Sequence, residues 1–178
     1  SNHMMEAMGM LQNLIRVGYK GPLIVYLMRK KSEPNFGDDE KKLRKELKKS
    51  KLNVTVYEWP EKEHFKTYCW KPKIVEHFFE NHPGLSPVFG WFDSSARFTE
   101  NPEEWAKLMV RDRIDFAGHT SIMGMGENTH ADTWKYFDQD VEDFKEHWEI
   151  WAGGWLFNLY SNPKARKEMM EPWIGCAK

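Results

Sequence analysis

Asp93-Ser94-Ser95-Ala96-Arg97 sets a carboxylate, two hydroxyls and a guanidinium side by side, directly after the apolar run Val88-Phe89-Gly90-Trp91-Phe92. A short aromatic-rich run with Pro87 before it and Asp93 after it suits a strand covered on both faces. Ligands of open α/β sheets settle beyond the carboxyl ends of the strands, so a binding site is expected here. The plain alternative is an Asx-type turn, in which Asp93 and Ser94 do no more than end the strand. Two cations and an imidazole extend the set. Lys71 opens a helix at Trp70-Lys71-Pro72, where backbone N–H groups and the macrodipole add to its charge in favouring a phosphate; its stem resting on Trp70 is the competing account. Arg97 follows the strand and is either a phosphate ligand or an ion-pair residue. His119, inside Gly118-His119-Thr120, has the chemistry to meet a diphosphate or a metal, although a histidine in a strand is more often a hydrogen-bonded core residue.

The elements that must position these groups follow from periodicity. Met8, Leu11, Leu14 and Ile15 recur at helical spacing and Gly18 stops the run, giving a helix over 5–17. Leu23–Met28 is a continuous apolar stretch, expected as a strand buried on both faces. Arg29 to Asp39 reads as a polar loop, followed by a lysine-rich helix to Ser50 whose charged side is a solvated outer face. Val54–Trp59 alternates and is β-branched, a second strand ending at Pro60. The Trp-Lys-Pro helix carries Ile74, Val75, Phe78 and Phe79 inward and ends at His82-Pro83-Gly84. Positions 20–98 thus run β-α-β-α-β, which predicts a mostly parallel central sheet of Leu23–Met28, Val54–Trp59 and Val88–Phe92 with helices on both faces. Downstream, Asn101 caps a helix with Pro102 in its first turn, and Ile114–Gly124 reads as a strand. Thr129-His130-Ala131-Asp132 resembles a capping box for a helix over 132–137, and 138–148 reads as a short helix or ordered loop. A strand over 155–159 and a closing helix opened by Asn162-Pro163 end the chain, with Met169, Met170, Trp173, Ile174 and Ala177 as its core stripe.

Composition narrows the partners. With 178 residues the chain suits one domain, over 5–178, and Ser1-Asn2-His3-Met4 reads as a tag remnant. Lys and Arg total 26 against 27 acids, a net charge of -1, which calls for neither nucleic acid nor an anionic membrane. Cys69 and Cys176 lack disulfide-framework or zinc-ligand spacing. No run is long enough to span a membrane and no signal peptide is visible, so a soluble, cytoplasmic chain is expected, or a piece of a secretory-pathway parent. The nine tryptophans are read mainly as packing, with sugar stacking as the functional alternative.

The Trp-Lys-Pro helix, the strand running into Asp-Ser-Ser-x-Arg-Phe, the Gly-His-Thr-Ser-Ile segment and Glu149-Ile150-Trp151-Ala152-Gly153-Gly154-Trp155 together resemble the GT-A glycosyltransferases, from about Met10 to Cys176. The likeness is to a eukaryotic-type group with Trp-Lys-Pro and Asp-x-Ser-x-Arg motifs. It implies an α/β, three-layer αβα fold of the nucleotide-diphospho-sugar transferase kind, in a truncated or minimal form. It further implies a hexosyltransferase-like transferase taking a nucleotide-sugar donor and a glycan or other acceptor. Asp93 then stands where the family's Asp-x-Asp motif begins and is the metal candidate. Ser95 replaces the second acid, and because a hydroxyl is a poor ligand for Mn²⁺ or Mg²⁺, any metal binding should be weak. Lys71, Asp93, Ser95, Arg97 and His119 become the donor-binding set; Asp93 orients the donor, with Glu149 or Asp115 as acceptor base and Gly153-Gly154 leaving room for a sugar. Asp93, Lys71, Arg97, His119 and Glu149 are expected to face one cleft. The alternative is a carbohydrate- or nucleotide-binding module that keeps the fold without turnover.

Overall fold

The computed structural model describes residues 2–28, 36–59, 70–125, 131–136, 138–159, 164 and 166–175. Residues 29–35 of the expected 29–39 loop, the charged stretch 60–69 with Cys69, Thr129-His130, Asn162-Pro163 and residues 176–178 lie outside them; 36–39, expected in that loop, are helical.

Helix α1 (Asn2–Arg16) leads into strand β1 (Pro22–Met28), then α2 (Phe36–Lys49) and β2 (Asn53–Trp59). β1 and β2 pair in parallel, with Pro22 opposite Asn53 and Met28 opposite Trp59. The two helices lie together on one face, where Met4, Leu11, Leu43 and Leu47 bury against Leu27 and Val25. Met4, expected in a tag remnant, is part of this core, and α1 begins at Asn2.

Helix α3 (Trp70–Asn81) covers the other face and leads into β3 (Val88–Phe92). Ring contacts along α3 give the strand directions. His82 meets Tyr57 while His77 meets Trp59, so α3 runs opposite to β2. Phe78 meets Phe89 while Trp70 meets Trp91, so it runs opposite to β3 as well. β1, β2 and β3 therefore point the same way.

The expected mostly parallel sheet is nevertheless corrected. β3 pairs with neither β1 nor β2; it pairs antiparallel with β5 (Trp148–Asn158), which also pairs antiparallel with β4 (Phe116–Gly124), giving the order β3-β5-β4. The fold is mixed α/β with a two-stranded parallel sheet and a three-stranded antiparallel one. The cause lies in β5, read from sequence as starting at Trp155. It extends back to Trp148 through an irregular stretch between Ile150 and Trp155, long enough to bridge its neighbours on both sides.

α4 (Pro102–Asp112) packs on the antiparallel sheet, with Met109 buried against Val88 and Leu156. Its cap is the expected one: Asn101 Oδ1 accepts from Glu103 N at 3.0 Å. Short helices α5 (Ala131–Tyr136) and α6 (Val141–Phe144) follow β4. The closing helix is less regular than its stripe suggested, a π-helical turn Arg166–Met170 running into α7 (Glu171–Gly175); Met170 and Ile174 are buried, and Met169 is exposed. These close an aromatic core of Phe79, Phe89, Trp155 and Phe157.

Two buried asparagines fasten the layers. Asn13 of α1 donates to Phe98 O at 2.9 Å and accepts from Phe98 N at 2.6 Å, fixing the segment after β3 on α1. Asn158, fully buried, donates to Met109 O at 2.9 Å and ties β5 to α4.

Candidate functional site

The carboxyl end of β3 is a polar mouth. Asp93 leaves the strand with its backbone N–H bonded to Gly153 O at 2.8 Å, so β5 sets its position. Its Oδ2 accepts from Lys71 Nζ at 3.0 Å and its Oδ1 from Trp91 Nε1 at 3.0 Å. Trp91 precedes it by two residues and so projects to the same face of the strand. Lys71 lies in the first turn of α3, and its ammonium sits 5.5 and 5.8 Å from the rings of Trp70 and Trp91. The lysine side chain is only 12 % exposed and the aspartate 33 %, so this ion pair is better shielded than a surface bridge. Lys71 both rests against Trp70 and presents a cation at a helix N-terminus; the two accounts of it are compatible.

Ser94 and Ser95 form the turn after Asp93, closed by Ala96 N bonding to Asp93 O at 2.9 Å. The turn expected from the plain alternative is therefore present, and it coexists with a carboxylate facing a cavity. Ser94 Oγ donates to Glu6 Oε2 of α1 at 3.2 Å. Trp70, Lys71, Asp93, Ser94, Ser95 and Glu6 all line the same cavity. Glu6 and Trp91 were missed as site residues by sequence reasoning. The two-residue spacing to Asp93 could have found Trp91, whereas Glu6 arrives from 88 residues away with no local signal.

The other candidates do not all join this mouth. Arg97 turns away: its guanidinium donates to the carbonyls of Ser94, Ala96 and Glu6 and lies flat against Gly9 of α1. It braces the turn onto α1 and does not line the cavity. Asp115 sits before β4, its carbonyl accepting from Asn158 N, while Asp93 is level with Gly153. Five residues of β5 separate those levels, about 17 Å at about 3.4 Å per residue, so Asp115 belongs to the opposite end and is no acceptor base for this mouth. His119 is exposed at the irregular step between Gly118 and Thr120, one strand beyond Gly153-Gly154. It shares an end of the sheet with Asp93, with β5 between them. Gly153-Gly154 lie in that step. Glu149 lies on β5 four residues beyond Gly153; its side chain is outside the described residues. The single cleft expected for five residues thus reduces to Lys71 and Asp93, with His119 nearby.

The donor set around Asp93 does not fit Mn²⁺ or Mg²⁺. Both carboxylate oxygens already accept a hydrogen bond, one from a cation that would repel the metal, and the adjacent hydroxyl of Ser95 brings no charge. Among the described residues no group of three His, Cys, Asp or Glu is placed to hold an ion. Nor, among them, is any helix long and apolar enough to cross a membrane. Comparison with family models, curated proteins and solved structures returned no match, so no family is assigned to this chain.

Proposed function

We propose that this chain is a glycosyltransferase-type domain that takes a nucleotide-diphosphate sugar at the mouth beyond β3. The observation that carries the reading is the shielded Lys71–Asp93 pair between two indole rings at the N-terminus of α3, open to a cavity. An incoming diphosphate competes with Asp93 for Lys71 and gains the backbone N–H groups of the helix as further donors. Asp93, released from the ammonium, is then an acceptor for sugar or ribose hydroxyls. Ser94 and Ser95 add neutral donors, and Trp70 and Trp91 offer apolar faces of the kind pyranose rings stack on. The exchange needs no metal, consistent with the donor set.

For transfer to an acceptor, Lys71 would stabilise the charge developing on the leaving nucleoside diphosphate. The remaining base candidate is Glu149. A second reading, binding without turnover, is favoured by the single carboxylate at the motif position and by the placement of Asp115 at the far end.

A thermal-shift screen against UDP-, GDP- and dTDP-sugars with and without Mn²⁺ tests the proposal. A ligand at about 100 times its Kd stabilises by about 2.7 kcal/mol. The shift should be independent of Mn²⁺ and lost in Lys71→Ala and Asp93→Asn, with both variants still folded. No shift with any donor, or an equal shift in Lys71→Ala, refutes the site. Release of free sugar or a glycosylated acceptor then separates transferase from binding module.

A further inference from the structure

Asn53-Val54-Thr55 is the one Asn-x-Ser/Thr triplet of the chain without a proline in its middle. A hydroxyl two residues after an asparagine is the acceptor signal for N-linked glycosylation. Three residues match easily by chance, so the seat of the triplet in the fold decides its weight. Asn53 and Thr55 are the first and third residues of β2, and both are exposed. Their side chains project from one face of the strand, while Val54 between them turns to the other face and packs on the α1/α2 core. The strand therefore holds the amide and the hydroxyl outward together.

The surroundings leave room for a glycan. Tyr57, further along the same face, meets the ring of His82 at 5.7 Å, immediately after α3 ends at Asn81. Because α3 runs opposite to β2, Thr55 and Asn53 lie past its end, about 7 and 14 Å from Tyr57 at about 3.4 Å per residue. Among the described residues neither side chain takes part in a hydrogen bond or ion pair, so a substituent on Asn53 Nδ2 displaces nothing. Among the same residues β2 pairs only with β1, and its one charge, Glu58, is at the far end of the strand. Edge strands are normally blunted against pairing with other chains, and a bulky hydrated group at the start of β2 does this.

We propose that Asn53 is a site of N-linked glycosylation, modified where the chain crosses into a secretory compartment and carried on the folded protein at the amino end of β2. The donor is an oligosaccharide on a lipid diphosphate. Asn53 Nδ2 forms a bond to C1 of the sugar, the bond from C1 to the phosphate oxygen breaks, and the lipid diphosphate leaves with that electron pair. The amide proton passes to the transferring enzyme, which reads the Thr55 hydroxyl. β2 runs about 20 Å from Asn53 to Trp59, and β1, β2 and β3 point the same way, so the glycan stands at the opposite end of the strands from Asp93. The proposal holds whether or not the mouth binds a nucleotide sugar.

The test expresses the full chain behind a cleavable secretion leader in eukaryotic cells. The wild type should carry a single glycan that an amidase-type glycosidase removes, and peptide mass should place the converted amide at Asn53. Asn53→Gln and Thr55→Ala should lose the glycan, whereas Thr55→Ser should keep it. The glycosylated chain, the deglycosylated chain and Asn53→Gln should share one thermal midpoint, because the Asn53 side chain holds no bond in the fold. Chain recovered from the lumen or the medium without a glycan would overturn the proposal, as would a glycan that persists in Asn53→Gln. A glycosylated chain with a lowered midpoint would overturn it too, since the amino end of β2 would then be covered in the folded protein.

Discussion

The two sheets are built from similar apolar strands and differ in what closes them. In the antiparallel sheet β5 is paired on both sides, by β3 and by β4, and Trp155 at its centre is packed by Phe89, Phe157, Trp91 and Trp173. In the parallel sheet β1 and β2 have helices on both faces but β1 lines the cavity, and most of β1 is only half-buried. Apolar composition thus gives a strand its place in a layer, while burial depends on whether a neighbour completes the ladder.

This contrast predicts unequal costs for similar lesions. Trp155→Ala should destabilise most, by about 3–5 kcal/mol, since it empties the aromatic core. Leu27→Ala should cost less, about 2–3 kcal/mol, because the cavity beside it lets neighbours relax. Denaturant melts of both variants check the order, and a larger loss at Leu27 would break the comparison. Between the sheets, Asn13→Ala should cost about 2 kcal/mol by orphaning the buried N–H of Phe98 and leaving its C=O only the long bond from Arg16. That loss should be accompanied by faster exchange in 94–98.

A pH effect probes the amino end of β1. Burial, and then the charge of Glu103, push the Tyr19 phenol up to about 12, and its hydroxyl donates to Pro22 O at 2.8 Å. Tyr26 is raised too, chiefly by burial. The unfolded chain releases these protons near pH 10, so the stability they confer is complete below that pH and declines as pH rises toward 12. Tyr19→Phe should flatten the fall in denaturant midpoint over that range; an unchanged slope would contradict the burial. The smallest expected effect is Arg44→Ala, which removes half-exposed bridges to Glu40 and Glu58 and should cost about 0.5 kcal/mol.

Much of this was legible in the residues. The strands at 22–28, 53–59 and 88–92, the α4 cap and the turn after Asp93 all follow from local composition and periodicity, which act over a few residues. Which strand β3 pairs with was not legible, since its partner is some sixty residues away and an apolar run carries no mark of ladder direction. β5 was read too short because Gly153-Gly154 looked like a beginning, whereas it is an irregular step within a longer strand. Lys71 and Asp93 were legible as a pair from their positions at a helix start and a strand end. Arg97 misled because its acceptors are backbone carbonyls, and any residue type supplies those.

The seat of Arg97 on Gly9 bears on how the sequence can drift. A glycine inside α1 sacrifices about 1 kcal/mol of helix propensity relative to alanine, yet any Cβ there would strike the guanidinium. Repairing the helix alone would push the guanidinium aside and strain its bonds to the carbonyls of Ser94, Ala96 and Glu6. Truncating the arginine alone would leave a weak helix with an empty notch. Each position is poor without the other, so in descendants of this chain residues 9 and 97 should covary: larger at 9 only where smaller at 97.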